Sequence, residues 1–140
     1  MKSCTFTVHG PPVGKQRART YKDKRGKTRT VTPTKTRDYE ATVGQLARLA
    51  WRGPPSSAPF RLTLVVVKPR PKRLCRKADP DGRVRCLAPP DLDNASKSVS
   101  DAVNGVIYVD DAQVVEFVAS KWYAAKGEAP RVEVTLEEIE

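Results

Sequence analysis

The segment from Asp91 to Val114 contains five aspartates and one lysine at spacings that could support chemistry. Carboxylates placed close together repel one another, so a cation is expected to offset their charge. The chain that carries this acidic segment has a formal net charge of +10. An acidic cluster inside a basic chain predicts a metal site within a positive surface. A metal-dependent enzyme that acts on nucleic acid would need that combination.

The residue types suit divalent-metal chemistry on a phosphate. Mg²⁺ or Mn²⁺ prefers carboxylate oxygens and water, and Asp91, Asp93 and Asp111 are the predicted ligands. A bound ion would activate water and offset charge on the phosphate oxygens. Lys97, one turn after Asp93, could orient the attacking water or stabilise negative charge. The single histidine, His9, lies beside a Pro-rich loop and offers little basis for a catalytic triad.

Each member of the cluster also has a purely structural interpretation. Asp91 or Asp93 could cap a helix, and Asp93 and Lys97 could form a surface pair worth about 0.3–0.5 kcal/mol. Asp110-Asp111 could be a polar turn before a strand. Their combination in a chain with few other acids favours a functional site, in which the parts played by Asp101 and Asp110 stay open.

A helix after Pro90 must position these side chains. Asp93, Lys97 and Asp101 follow one another at i, i+4 and i+8, so they are predicted to project together from one face. Asn104-Gly105 is expected to end the helix. The opposite face is apolar and is expected to pack against a sheet; it comprises Leu92, Ala95, Val99, Ala102, Val103 and Val106.

The remaining periodicity predicts an α+β fold, a mixed β-sheet with two packed helices, as one domain over residues 1–140. Alternation predicts strands at 4–8, at 60–67, around 113–123 and at 131–137, with the second of these central and buried. A first helix is predicted over 37–51, with Asp38 and Glu40 in its first turn. Its shared face comprises Tyr39, Val43, Leu46, Ala47 and Ala50.

Charge is distributed unevenly along the chain. Residues 1–90 carry a net charge of +17, and residues 91–140 carry −7. Most of the positive charge lies in two loops, one with a turn at Lys24-Arg25-Gly26 and a short ribbon around it, and one over residues 68–90. This layout suits a basic part that binds phosphates and an acidic part that binds metal, although an uneven solvated surface would look similar.

Cysteine usage and hydropathy narrow the class of protein. Three cysteines argue against a disulfide framework, although Cys75 and Cys86 could pair on oxidation. Cys4 alternates with other apolar residues and is expected in the core. No apolar run approaches the roughly 20 residues that span a bilayer, and the N-terminus lacks the apolar core of a signal peptide. A cytoplasmic protein is therefore expected, with no membrane partner.

The acidic segment resembles the RusA family of Holliday junction resolvases, endonucleases common in phages and prophages. The similarity extends more loosely from the first strand and Gly10-Pro11-Pro12 to the last strand. The residues that carry it are Asp91-Leu-Asp93-Asn94, Lys97, Asp101-Ala102, Asn104-Gly105 and Asp110-Asp111-Ala112-Gln113-Val114.

The resemblance implies a homodimer that binds four-way DNA junctions and cuts two opposed strands by Mg²⁺- or Mn²⁺-dependent hydrolysis, in recombination and repair. The catalytic carboxylates of the family match Asp91, Asp93 and Asp111, and its catalytic lysine matches Lys97. A two-fold dimer suits a junction of roughly two-fold symmetry. Contacts to backbone phosphates are predicted for Lys15, Arg17, Arg19, Lys22, Lys24, Arg25, Lys72 and Arg73.

Two other functions fit the same residues. A non-catalytic nucleic-acid-binding protein would use the aspartates only as caps and turns. A nuclease of another type, acting on other branched DNA, would share the metal chemistry. Restriction-like enzymes typically carry an acid-x-Lys element, whereas three residues separate Asp93 from Lys97 here.

Overall fold

The computed structural model describes residues 1–16, 19–31 and 33–140, without the side chain of Arg19. The main sheet has five strands, which are β1 (Ser3–His9), β4 (Phe60–Lys68), β5 (Val84–Arg85), β6 (Val114–Tyr123) and β7 (Arg131–Glu138). Their order in the sheet is β1-β7-β4-β6-β5. β4 and β6 are parallel, and the other neighbours are antiparallel, which confirms the predicted mixed sheet.

β4 is the central strand, as predicted, but the predicted burial of the strand is complete on only one of its faces. Phe60, Leu62 and Leu64 on one face are at most 2% exposed. They meet the buried residues of β1 and β7, including Cys4, in a single core. Thr63 and Val65 point to the opposite face and are only partly buried. The sheet therefore has one face covered by helices and one face open to solvent.

Both helices pack on the covered face, which confirms the predicted α+β architecture. α1 spans Thr34–Ala50 and α2 spans Leu92–Val103. The two helices contact each other and contribute buried apolar residues to the same core. In the described part of the chain, no helix has both the length and the apolar character needed to cross a membrane.

The first helix begins earlier than the sequence predicted. Pro33 is its N-cap residue, and its fixed φ suits the position just before a helix. The first turn therefore contains no acidic residue, and the prediction that Asp38 and Glu40 lie in it is wrong. Thr36, in that turn, is fully buried.

The first basic loop contains the predicted ribbon. β2 (Arg19–Lys22) and β3 (Thr28–Val31) pair antiparallel and form a sheet of their own. Asp23 fixes the turn by accepting hydrogen bonds from the backbone of Arg25 and Lys27, at 2.9 and 3.0 Å. Gly26 completes the turn with a φ of 77°. The ribbon is exposed and presents its cations to solvent.

The second basic loop, residues 69–90, is organised around Arg70. Its guanidinium donates to the carbonyls of Leu74, Pro80, Gly82 and Ala124, at 2.6–3.2 Å. These bonds tie both halves of the loop to the end of β6. All three cysteines of the chain are free; Cys75 is exposed, whereas Cys4 and Cys86 are buried.

Candidate active site

The N-terminus of α2 is capped by Asp91. Its Oδ1 accepts a hydrogen bond from the backbone N–H of Asn94 at 2.8 Å. The capping interpretation of Asp91 is therefore confirmed. A carboxylate has further acceptor positions on its second oxygen, and Asp91 is exposed. Capping and metal binding by the same carboxylate are compatible.

Asp93, in the first turn of α2, lies beside Lys97, which follows one turn later. Lys97 Nζ is 3.3 Å from Asp93 Oδ2, and the two side chains are 58% and 75% exposed. An exposed pair of this kind adds only a few tenths of a kcal/mol to stability. The importance of the pair lies in its position. It holds an ammonium group beside an accessible carboxylate near the N-terminal, positive end of the helix.

Asp101 does not join that pair. Its carboxylate binds Lys15 Nζ at 3.0 Å, and Glu40 on α1 binds the same nitrogen at 2.5 Å. The backbone N–H of Lys15 donates to Asn94 at 3.1 Å. Lys15 therefore joins the first basic loop to both helices.

These contacts change the assignment of Lys15. Partial burial alone would lower the pKa of its ammonium group, but the hydrogen bonds that this group donates to Glu40 and Asp101 outweigh burial and raise the pKa. Two carboxylates already offset its charge, so Lys15 is a bridge within the fold. This position differs from the exposed phosphate contact that the sequence predicted.

Asp110 and Asp111 lie at a short 3₁₀ turn, Asp111–Gln113, just before β6. Gln113 fixes this turn, because its Oε1 accepts from the backbone of Val109 and Asp110 at 2.9 and 3.0 Å. Its Nε2 donates to the carbonyls of residues 56 and 58, at 2.8 and 2.9 Å. Gln113 was part of the sequence motif but had no predicted role. Both aspartates remain exposed.

Tyr108 locates these acids relative to α2. It is fully buried, and its hydroxyl donates to the carbonyl of Ser100 at 3.0 Å. Burial raises the pKa of Tyr108 well above its usual value, and the negative charges of Asp111, Asp101 and Asp110 raise it further. Tyr108 thus connects the segment just before Asp110 and Asp111 to the last turn of α2.

The predicted metal ligands consequently lie at opposite ends of α2. Lys121, near the end of β6, donates to the carbonyl of Pro90 at 3.1 Å, so Asp91 is beside that end of the strand. Asp111 precedes the start of the same strand. Along α2 alone, Asp91 and Asp101 are about 15 Å apart. Asp111 is thus remote from Asp91 and its neighbour Asp93 within one chain.

The described residues accordingly contain no group of three or more His, Cys, Asp or Glu side chains that could hold a metal ion. The donor chemistry does suit Mg²⁺ or Mn²⁺, since Asp91 and Asp93 are exposed carboxylates one helical turn apart or less. One chain therefore supplies part of the predicted ligand set at each end of α2.

The other predicted DNA contacts remain on the surface where the structure describes them. Five of them are exposed and form no ion pair with a carboxylate among the described residues. They are Lys22, Lys24, Arg25, Lys72 and Arg73. The guanidinium of Arg73 is 5.8 Å from the ring centre of Tyr123. Arg17 and the side chain of Arg19 fall outside the described residues, so their predicted contacts stay predictions.

A cleft beside the N-terminus of α2 was missed by sequence reasoning. We call it the proline cleft. It is formed by segments that are far apart in sequence, and their shared feature in the sequence is a high proline content. Two of its lysines, Lys35 and Lys68, were not among the predicted contacts. Its lining comprises residues 11–16, Lys35, Lys68, Pro69, Pro89, Pro90 and Asn94.

The mixed sheet carries the Asp-Lys pair on α2 and the acidic turn before β6. Residues 9–137 match the family described as Endodeoxyribonuclease RusA. The chain therefore belongs to the RusA family of endodeoxyribonucleases, whose resolvases act on branched DNA junctions. The resemblance of the acidic segment to this family is confirmed.

A full-length relative has been found in Bacillus subtilis (strain 168). That protein, described as Uncharacterized protein YqaN, is 34% identical to the chain over 145 residues. The alignment covers 99% of each protein. The alignment therefore spans both basic loops as well as the acidic segment.

Proposed function

We propose that the chain is a Mg²⁺- or Mn²⁺-dependent Holliday junction resolvase that works as a homodimer in DNA recombination and repair. The observation that carries the proposal is the match to the RusA family over residues 9–137, a range that contains the whole acidic segment. The resemblance of the acidic segment to this family implies that Asp91, Asp93, Lys97 and Asp111 would be its catalytic residues.

The catalytic residues of α2 would act on a DNA phosphate bound at the N-terminal end of this helix. The helix dipole and the first-turn N–H groups favour an anion there. A divalent ion held by Asp91 and Asp93 would supply Lewis acidity and a more acidic water molecule. Lys97, 3.3 Å from Asp93, would orient that water or donate to the developing negative charge.

The third carboxylate, Asp111, would come from the second subunit. β6 is an open edge for most of its length, because β5 pairs only with Trp122 and Tyr123 in the described sheet. In the open part, Val115, Phe117 and Val118 are 61%, 46% and 56% exposed to solvent. An exposed apolar strand edge is suited to pairing with another strand.

Antiparallel pairing of β6 with its own copy fits the distribution of charge. Asp110 and Asp111 precede the strand, whereas Lys121 lies near its end. With the two-fold axis near Phe117 and Val118, each acidic end would meet the basic end of the other subunit. Complementary charges would therefore support the apolar contact.

The same pairing would complete the metal site. Asp111 of one subunit would approach the end of β6 in its partner, where Lys121 holds the carbonyl of Pro90 and Asp91 follows. Each site would then combine Asp91 and Asp93 of one subunit with Asp111 of the other. Two sites related by a two-fold axis suit paired cleavage of opposed strands in a junction.

Cleavage of a synthetic four-way junction tests this function. We expect Mg²⁺-dependent paired incisions by the wild type, and a loss of roughly 100-fold or more in Asp93→Asn, because the amide removes a negative ligand. Asp38→Asn, which changes an exposed acid on α1, is the matched control and should cleave normally. Junction affinity should be retained in both variants.

Substrate choice separates the proposal from the two other functions. Flapped and linear duplexes, assayed beside the junction, should be cut at least tenfold more slowly. Equal cleavage of all three would indicate a nuclease of another type. Junction binding without any metal-dependent cleavage by the wild type would indicate a non-catalytic binding protein instead.

A further inference from the structure

We propose that the proline cleft holds a single nucleotide of the DNA strand next to the cleaved phosphate, and that it contributes to the choice of cleavage site. This inference rests on the proposed function, because it takes the N-terminus of α2 as the place of cleavage. It adds a binding site for a base and its phosphate, which the acidic residues do not provide.

The wall of the cleft is firmly attached to α2. The Ser98 hydroxyl, fully buried on the helix, donates to the carbonyl of Val13 at 2.8 Å. The backbone N–H of Lys15 donates to Asn94 at 3.1 Å. A Cβ added to Gly14 would lie 2.8 Å from the Cβ of Pro90, so glycine permits this close approach. The cleft is therefore formed before any DNA binds.

The lining has the chemistry of a nucleotide site. Five prolines supply apolar surfaces against which a base can pack. Three lysines and no acidic side chain line the same space. The volume of about 520 Å³ lies in the range typical of small-molecule sites and suffices for one nucleotide.

Two of these lysines have positive charge available for a phosphate. Lys35 is exposed near the start of α1 and has no acidic partner among the described residues. Lys68 donates to the carbonyl of Pro89, which is neutral and leaves the ammonium charge uncompensated. Lys15, the third, already binds two carboxylates. Lys35 and Lys68 are therefore the predicted phosphate ligands.

The position of the cleft links it to cleavage. Pro90 and Asn94, which line it, flank Asp91 and Asp93 in the chain. A phosphate held at these carboxylates would place its neighbouring nucleotide at the cleft. Asn94 lines the cleft, and its side-chain amide has no hydrogen-bond partner among the described residues, so it is free to bond to the edge of a base.

An abasic scan tests the proposal. Junctions that lack one base at a time around the branch point are titrated with the wild type in metal-free buffer, and their cleavage is measured separately with Mg²⁺. One abasic position, adjacent to the cut, should weaken binding roughly 5- to 10-fold, since the packing of its base is lost. Uniform affinities across the scan would overturn the proposal, whether or not the wild type cleaves junctions.

Two variants connect that effect to the cleft. Asn94→Ala should show a smaller abasic effect than the wild type, because the base loses its hydrogen bond but keeps its packing against the prolines. Lys35→Ala should weaken binding to every junction about threefold and reduce its salt dependence. Lys77→Ala removes an equally exposed lysine from the second loop and is the charge control. Retention of the full abasic effect in Asn94→Ala would contradict the proposed base contact.

The two proposals fail in different ways. Wild-type protein that binds junctions with the single abasic effect but never cleaves them would contradict the nuclease and support the nucleotide site. Wild-type protein that cleaves normally, with no position sensitive to base removal, would support the nuclease and reject the nucleotide site.

Discussion

In the proposed function, Asp91 combines two roles in one carboxylate. Its Oδ1 caps α2 through the backbone N–H of Asn94, and its other oxygen is free to bind a cation in the proposed site. The preference of helix N-termini for aspartate thus places a negative ligand where the dipole already attracts phosphate. A structural cap and a catalytic ligand are therefore not competing interpretations at this residue.

The two roles of Asp91 can be separated by substitution. Asp91→Asn retains a capping oxygen, so its free energy of unfolding should be within about a few tenths of a kcal/mol of the wild-type value. The same variant should lose most junction cleavage. Asp91→Ala should lose cleavage and also about 1 kcal/mol of stability, as the cap is removed. Urea denaturation and cleavage rates provide the two measurements. Full activity in the stable Asn variant would exclude Asp91 as a ligand.

At the scale of elements, the second basic loop is attached to the sheet by charged hydrogen bonds. Arg83 donates to both carboxylate oxygens of Glu128, at 2.7–3.3 Å. Glu128 also accepts from the backbone of Ala125 at 2.9 Å. These bonds connect β5 to the turn between β6 and β7. They hold the loop that carries Lys72 and Arg73.

This attachment should depend on pH. The hydrogen bonds from Arg83 and from the Ala125 backbone lower the pKa of Glu128 from 4.5 to about 2. Ionised Glu128 therefore stabilises the fold fully above about pH 4.5, and this contribution is lost as the pH falls toward 2. Glu128→Gln should cost on the order of 1 kcal/mol at pH 7 and less at pH 3.

Urea titrations of Glu128→Gln at several pH values measure the effect. Glu140→Gln, at the exposed C-terminus, is the matched control and should follow the wild type. A stability difference that stays constant from pH 7 to pH 3 would show that the carboxylate charge is not responsible.

At the scale of the whole molecule, the open edge of β6 has a consequence that mixed dimers can measure. If each site uses Asp93 of one subunit and Asp111 of the other, Asp93→Asn and Asp111→Asn proteins are both inactive alone. A heterodimer of the two contains one site with both substitutions and one intact site. Mixing equal amounts of the variants makes about half of the dimers heterodimers, each with one intact site, so it should restore nicking of one strand, up to about a quarter of the wild-type incisions.

A control variant identifies the interface in the same experiment. Phe117→Glu places a charge on the exposed edge and should abolish both the dimer and the restored nicking. Sedimentation measures the oligomeric state. If the variants exchange subunits but the mixture shows no cleavage, each site is built within one chain.

Local patterns in the sequence determined much of this protein. Helical spacing predicted that Asp93 and Lys97 meet, and the run of apolar residues predicted that β4 is central, because both depend on periodicities of a few residues. The proline before α1 was present in the sequence as well, but the helical pattern used to predict α1 began at residue 37 rather than at Thr34.

Only the tertiary structure decided which distant residues meet. The parallel pairing of β4 with β6 makes α2 run opposite to β6, so Asp91 and Asp111 lie at opposite ends. Folding also pairs the charge of Lys15 with two carboxylates from separate helices, and it forms the proline cleft from segments that are distant in sequence. Such contacts depend on the direction and packing of whole elements, which short-range spacing does not encode.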